Sequence, residues 1–120
     1  MSTFRDLKVY QKAFKLAMNI FNLTKSFPDE EKFGLISQIR RSSRSVCSSI
    51  AEAYRKRKYP AHFVSKTTDA DMENSETQVW LDFAISCKYI DKKVYQDFKL
   101  RSEEIGKMLN HMIENPEKYA

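Results

Sequence analysis

The sequence has few of the residues that interrupt helices or that form metal and redox sites. Among 120 residues it contains two glycines, three prolines, two cysteines, two histidines and one tryptophan. So little glycine and proline argues against a fold rich in turns or strands and favours long helices. No apolar run approaches the ~20 residues that cross a bilayer, and the mixed-charge N-terminus lacks the apolar core of a signal peptide. We therefore predict no membrane role.

The few cysteines and histidines form no metal or redox motif. Cys47 and Cys87 lie far apart and no Cys-x-x-Cys pair is present, which favours reduced core thiols in a cytoplasmic protein over a disulfide scaffold. Neither His62 nor His111 has a glutamate three positions before it, so the Glu-x-x-His pairs of di-iron bundles are absent. We predict no metal, no cofactor and no small-molecule substrate.

What the chain does contain is apolar residues at helical spacing. Hydrophobic residues make up 42% and charged residues 31%, the balance of a soluble globular chain that forms one domain over residues 1–120. Four helical segments are predicted, at about residues 6–25, 31–58, 61–88 and from the N-cap Asp91 to Pro116. Four long helices with short links predict an all-α, antiparallel up-down-up-down four-helix bundle.

The first helical segment carries more apolar surface than one neighbour would cover. Beside its main stripe runs a second seam at Val9, Leu16 and Leu23. Obligate oligomers bury apolar stripes of this kind, so the extra width favours a contact between subunits. Aromatic residues at helical spacing are far more often core than stacking platforms. We predict core positions for Phe14, Phe21, Phe33, Phe63, Trp80, Phe83 and Phe98.

The net charge of +5 is unevenly distributed. Residues 37–66 hold eight basic residues and one acidic residue, whereas residues 67–87 hold five acidic residues and no lysine or arginine. Two interpretations stay open. The basic segment forms a nucleic-acid surface, because clustered arginine and lysine bind phosphate, or much of its charge faces the acidic helix that follows it. The basic run at residues 55–58 also ends a predicted helix, where the dipole favours cations.

Several spaced motifs together resemble one known family. They are "FRDLKVYQKAFKLA", "LTKSFPDEEKFGLISQIRRSSRSV", "IAEA" and "SETQVWLDFA". In this order and spacing, which spans nearly the whole chain, they resemble the S23 ribosomal proteins, also called rRNA intervening-sequence proteins. The resemblance implies an antiparallel four-helix bundle, a homopentamer and an association with nucleic acid. A relative of the same fold, the accessory protein of diversity-generating retroelements, uses a basic pentamer surface to bind reverse transcriptase and RNA.

Two sets of candidate residues follow. The candidate nucleic-acid contacts share a long basic side chain on the second helical segment: Arg40, Arg44, Arg55, Lys56, Arg57 and Lys58. Within this set, pairing inside or between subunits is favoured for Arg40 and Arg44. A structural polar layer is predicted at family-matching positions, where carboxylates from adjacent helices accept hydrogen bonds from arginine and hydroxyl groups. Its members are Arg41, Ser45, Glu52, Glu76 and Thr77.

One short segment matches an enzyme motif. Arg57 and His62 have the R-x4-H spacing of HEPN ribonucleases, but Pro60 interrupts the segment between them, and no other nucleophile–base set is present. The sequence therefore predicts a non-enzymatic homo-oligomer, a pentamer by its resemblance, whose basic second helix contacts RNA, a nucleic-acid-binding protein or another anionic partner. A protein-binding scaffold without a nucleic-acid role is the alternative, and a HEPN-like ribonuclease is a minor one.

Overall fold

Four helices form an antiparallel bundle. The structure, a computed structural model that describes residues 2–120, contains α1 (Lys8–Thr24), α2 (Leu35–Arg55), α3 (Pro60–Ser86) and α4 (Lys92–Glu114). Short 3₁₀ turns at Phe4–Asp6, Asp29–Glu31 and Pro116–Lys118 complete the regular secondary structure of the described residues. The predicted all-α four-helix bundle is confirmed.

The helices pack in chain order around the bundle. Each helix contacts the next one along the chain, and α4 packs back against α1. Consequently α1 and α3 lie diagonally across the bundle, which measures 44 × 24 × 23 Å. Helices joined by short links run in opposite directions, so the C-terminal end of α2 lies at the same end of the bundle as the N-termini of α1 and α3.

The second helix is shorter than predicted at both ends. Residues 29–31 form a separate 3₁₀ turn, and α2 begins at Leu35, whose N–H donates to Glu31 Oε1 at 3.1 Å. A Cβ at Gly34 would lie 2.8 Å from that carboxylate oxygen, so glycine leaves room for this cap. At its other end α2 stops at Arg55, and the following three residues form the turn toward α3. Most of the basic run therefore lies outside the helix.

The third helix has a well-defined beginning and end. Proline suits its first position, Pro60, because a proline nitrogen has no hydrogen that would need a partner there. Beyond the last turn, Lys88 adopts a left-handed backbone with φ 63°. Tyr89 N–H then donates to the Ala84 carbonyl at 2.9 Å. These features form a Schellman-type helix end without the usual glycine. The helix ends at Ser86, two residues before the end that the sequence predicted.

The core is mainly aliphatic, and fewer aromatic rings belong to it than predicted. Phe63 and Phe98 are buried. The prediction is wrong for Phe14, Phe33 and Phe83, which are 50%, 87% and 54% exposed. Periodicity groups residues on a helix face, but it does not say whether another helix of the same chain covers that face.

The two thiols are free and have different environments. Cys47 is buried in α2, where desolvation raises its pKa to about 11. Cys87 follows the last residue of α3 and is exposed. The prediction of a core thiol is therefore wrong for Cys87, because the helix ends before it.

Candidate nucleic-acid interface

The basic residues of α2 fall into two regions, and Arg40 belongs to the first. It lies roughly 22 Å along the helix axis from Arg55, at 1.5 Å per residue. Its Nε donates to Thr24 Oγ1 at 2.8 Å, and its Nη2 donates to the Phe21 carbonyl at 3.2 Å. These groups belong to the last turn of α1, where a cation is also favoured by the dipole. Arg40 therefore joins two helices, and an external phosphate would compete with these bonds.

Arg44 lies one turn further along α2 and is exposed. Its guanidinium is 5.6 Å from the Phe21 ring centroid. It borders an apolar groove between α1 and α2 of about 430 Å³. The other residues that line this groove are Phe4, Tyr10, Phe14, Ala17, Met18, Cys47, Ser48 and Ala51. A surface this apolar suits a protein contact better than a phosphate backbone.

A second region, which we call the basic cleft, lies at the C-terminal end of α2. It is a cleft of about 630 Å³ lined by the four cations Arg5, Arg55, Arg57 and Lys58. Its remaining walls are Ser2, Thr3, Phe4, Tyr54 and Ala120. Three of the predicted contacts therefore come together here, while Lys56 of the same set is exposed outside the lining.

Arg5 is the residue of the basic cleft that sequence reasoning missed. It lies on the 3₁₀ turn before α1, which a capping box between Thr3 and Asp6 stabilises. The Ser2 hydroxyl lies 2.9 Å from the Tyr54 hydroxyl, and this hydrogen bond ties the N-terminal segment to α2. The Thr-x-x-Asp pattern was a signal for the turn, but it carried no information about which helix the turn packs against.

Aromatic rings and a backbone carbonyl hold the arginines of the basic cleft in place. The Arg57 guanidinium lies 3.7 Å from the Tyr54 ring centroid, and its Nε donates to the Tyr54 carbonyl at 2.9 Å. The Arg5 guanidinium lies 4.4 Å from the Phe4 ring centroid. Stacking on a ring orients a guanidinium while its terminal nitrogens stay available as donors.

None of the four cations of the basic cleft pairs with a carboxylate of residues 2–120. The basic residues that do face acidic partners lie elsewhere. Arg41 Nη1 donates to Glu73 Oε2 at 2.8 Å and its Nη2 donates to Glu76 Oε1, while Lys66 pairs with Glu52 at 3.0 Å. Each interpretation of the charge pattern thus describes a different group of residues, and the cations of the basic cleft belong to none of these ion pairs.

The five residues of the predicted polar layer do not lie together. Arg41 and Glu76 meet between α2 and α3 at a partly exposed site, where their hydrogen bond lowers the pKa of Glu76 and raises the pKa of Arg41. Glu52 is exposed and contacts Lys66 instead. The physical reason is distance, because Glu52 lies about 16 Å further along α2 than Arg41, at 1.5 Å per residue.

Buried hydroxyl and amide groups form the polar contacts of the interior. The Thr77 hydroxyl lies 2.8 Å from that of Ser42, whereas Ser45 is half-buried and outside this pair. On another side of α3, Asn74 Nδ2 donates to the Ser102 carbonyl at 2.9 Å, and Ser102 Oγ donates to Asn74 Oδ1 at 2.8 Å. These bonds link α3 to both of its neighbours. The sequence signal for these buried bonds was the polar middle of the third segment, where Asn74 and Thr77 occupy positions of the inward-facing stripe.

The arginine and histidine of the enzyme-like motif belong to different elements. Arg57 lies in the turn before α3 and is stacked on Tyr54. His62 is exposed in the first turn of α3, with its ring centroid 6.1 Å from that of Tyr59. Within residues 2–120, no group of three or more His, Cys, Asp or Glu side chains is arranged to hold a metal ion. Over the same residues, no helix combines the length and apolar character that a bilayer crossing requires.

Comparison with known proteins identifies one family and a similar crystal structure. The family model described as 23S rRNA-intervening sequence protein matches residues 5–111, which include every cation of the basic cleft. A protein of unknown function from the S23 ribosomal protein family of Bacteroides thetaiotaomicron VPI-5482 has 34% sequence identity and a TM-score of 0.81. That similarity covers 88% of this chain and 95% of the other chain. No protein with a curated description matches significantly.

Proposed function

The chain belongs to the 23S rRNA-intervening sequence protein family, and we propose that it is a non-enzymatic homo-oligomer, a pentamer, that binds RNA through the basic cleft. The family name supports an RNA-related role. The observation that carries the proposal is the convergence of Arg5, Arg55, Arg57 and Lys58 on one cleft without a carboxylate partner.

Unpaired cations on a concave surface favour RNA for a physical reason. Each phosphate that a cation neutralises releases condensed counterions, so affinity depends on salt in proportion to the number of such contacts. A cation that is already paired within the fold would first have to leave its carboxylate. Arg5 and Arg57 are stacked on rings, and an oriented guanidinium donates two parallel hydrogen bonds to a phosphate.

Fluorescence anisotropy of a labelled single-stranded RNA at several salt concentrations tests the basic cleft. Replacing both Arg55 and Lys58 with alanine is expected to weaken binding and to reduce the salt slope by about 1.4, at ~0.7 per phosphate contact. The matched control replaces Lys92 and Lys93, two exposed lysines at the opposite end of the bundle. It removes the same charge and is expected to leave the salt slope unchanged.

Two results would contradict this assignment. Equal losses in the two double variants would show that binding follows net charge and not the basic cleft. No measurable affinity of the unmodified protein at low salt would remove the RNA proposal and leave the protein-binding scaffold. The non-enzymatic part is tested in the same samples: cleavage of the RNA that disappears in His62→Ala would overturn it.

Two exposed apolar faces support self-association. The first is the groove between α1 and α2, where Phe14 and Met18 are exposed beside Arg44. The second is the outer face of α3, where the exposed apolar side chains are Met72, Val79 and Phe83. Separate apolar faces of this kind on one small protein are typical of protein contacts.

The two faces differ in charge and lie on different sides of the bundle. Arg44 borders the groove, whereas α3 carries five acidic residues and one basic residue, Lys66. A contact between unlike faces is head-to-tail, and it closes into a ring when the rotation between copies permits. The number five comes from the family resemblance. Light scattering is expected to give five times the protomer mass of 14.2 kDa, and a monomer would overturn this part of the proposal.

A further inference from the structure

Tyr59 is an exposed aromatic residue that lies next in sequence to the basic cleft and outside its lining. Its side chain is 60% exposed, whereas the other five tyrosines of the chain are buried or half-buried. It directly follows Lys58, which lines the cleft. Its exposed ring face is therefore open to an external partner.

The immediate surroundings of the Tyr59 ring are cationic and polar. Lys56 Nζ lies 5.9 Å from the ring centroid, and the His62 ring lies 6.1 Å away at an angle of 46°. The other exposed phenylalanine or tyrosine beside a lysine, Phe33, follows the acidic turn Asp29–Glu31 at the opposite end of the bundle. Phe14, which is exposed beside Arg44, lies in the apolar groove instead. Tyr59 is thus the exposed ring whose surroundings are cationic and polar without an apolar groove.

The backbone that carries the Tyr59 ring is fixed on both sides. Its N–H donates to the Lys56 carbonyl at 2.9 Å, and its carbonyl accepts from the Phe63 N–H at 2.9 Å. The next residue is Pro60, which opens α3 and restricts the backbone further. A ring on a fixed backbone loses little conformational freedom when a flat partner stacks on it.

We propose that Tyr59 is a stacking platform for a base of single-stranded RNA whose phosphates lie in the basic cleft. The inference rests on the proposed function and adds that the RNA is single-stranded. Cationic grooves with exposed aromatic rings bind single strands, because unpaired bases stack on the rings while cations follow the backbone. In a duplex the bases are already stacked and paired, so no base is available to stack on the ring.

Three binding measurements test the stacking platform with a single-stranded RNA of about 12 nucleotides. Tyr59→Ala is expected to bind it about 5- to 150-fold more weakly, the equivalent of ~1–3 kcal/mol per stacked base. Tyr59→Phe is expected to keep the affinity of the unmodified protein, because the ring remains. Phe33→Ala, which removes an exposed ring at the other end of the bundle, is expected to have no effect.

A strand of the same length without bases separates stacking from charge. It keeps every phosphate, so Tyr59→Ala is expected to bind it as tightly as the unmodified protein does. The salt slope of Tyr59→Ala with the complete RNA is also expected to stay unchanged, because no phosphate contact is lost. A duplex of the same sequence is expected to bind more weakly than the single strand.

The outcomes distinguish this inference from the proposed RNA binding by the basic cleft, on which it rests. If Tyr59→Ala binds the single strand as well as the unmodified protein, or loses equal affinity for the strand without bases, the stacking platform is wrong. If the Arg55 and Lys58 double variant loses affinity in that same experiment, RNA binding by the basic cleft still stands. If the unmodified protein binds none of these nucleic acids at low salt, both are wrong.

Discussion

Replacing Phe14 with serine tests the proposed contact between copies of the chain. Phe14 is 50% exposed at the groove between α1 and α2. A phenylalanine side chain has ~200 Å² of surface, so about 100 Å² of it remains for a partner to cover. At ~25 cal/mol per Å², complete coverage contributes about 2.5 kcal/mol to each contact. Its loss corresponds to a dissociation constant about 60-fold larger at each interface.

Sedimentation velocity over a concentration series measures this loss. Phe14→Ser is expected to sediment as smaller species at concentrations where the unmodified protein is assembled. The matched control is Phe33→Ser, because Phe33 is 87% exposed and lies outside the groove. The free energy of unfolding of Phe33→Ser is expected to change little, because Phe33 is 87% exposed. Phe14→Ser also loses the buried half of a ring that stacks beside Tyr10, so urea unfolding of this variant is measured alongside to show that it is folded.

A mixture of two variants tests whether the contact is head-to-tail. Phe83→Ser damages the outer face of α3 and is expected to dissociate the proposed ring as Phe14→Ser does. A protomer of each kind still has one intact face, so the mixture is expected to form a heterodimer that neither variant forms alone. If Phe14→Ser assembles like the unmodified protein, or if Phe33→Ser dissociates equally, the groove is not the contact. If the mixture stays monomeric, the pairing of the groove with α3 is wrong.

Three further predictions concern the fold. Asn74→Ala loses two buried hydrogen bonds with Ser102 and is expected to lower the free energy of unfolding in urea by about 2 kcal/mol. A double-mutant cycle with Ser102→Ala that shows no coupling would contradict this expectation. Lys88→Gly is expected to stabilise the fold by about 0.5 kcal/mol, because glycine tolerates the left-handed backbone at φ 63° but is freer when unfolded; destabilisation in the same assay would contradict it. The hydrogen bond to Glu31 raises the pKa of Tyr89 to about 12 from its ordinary value near 10. Because the folded-state pKa is the higher one, this contribution to stability is complete below pH 10 and is lost as the pH rises to about 12. Tyr89→Phe is expected to remove that part of the alkaline decrease, and an unchanged pH profile would contradict the assignment.

Local patterns predicted the helices because their causes are local. The apolar spacing of each segment follows from the helical repeat, and Asp91 caps α4 as predicted, with its Oδ1 accepting from the Val94 N–H at 2.8 Å. Pro60 marks the start of α3 for an equally local reason. The error at the start of α2 also has a local cause, since Glu31 caps a helix that begins after it and not at it.

The candidate site was less predictable because it depends on distant parts of the chain. Arg40 and Arg55 are chemically alike and belong to the same helix, yet Arg40 is bound to the end of α1 whereas Arg55 lines the basic cleft. Arg5 reaches the cleft only because the turn before α1 packs beside Tyr54. The exposure of Phe14 depends on which face of α1 its neighbours leave uncovered. None of these facts is contained in the spacing of residues along one helix.

The basic cleft is not explained by the stability of the helix that supplies most of it. The dipole at the C-terminal end of α2 favours a cation in its last turn, which accounts for Arg55. It does not account for Arg5, which comes from another segment and adds a further positive charge to the same cleft. Like charges that line one cleft repel one another. The RNA that we propose as partner would reduce that repulsion on binding, so the same charges would favour the complex.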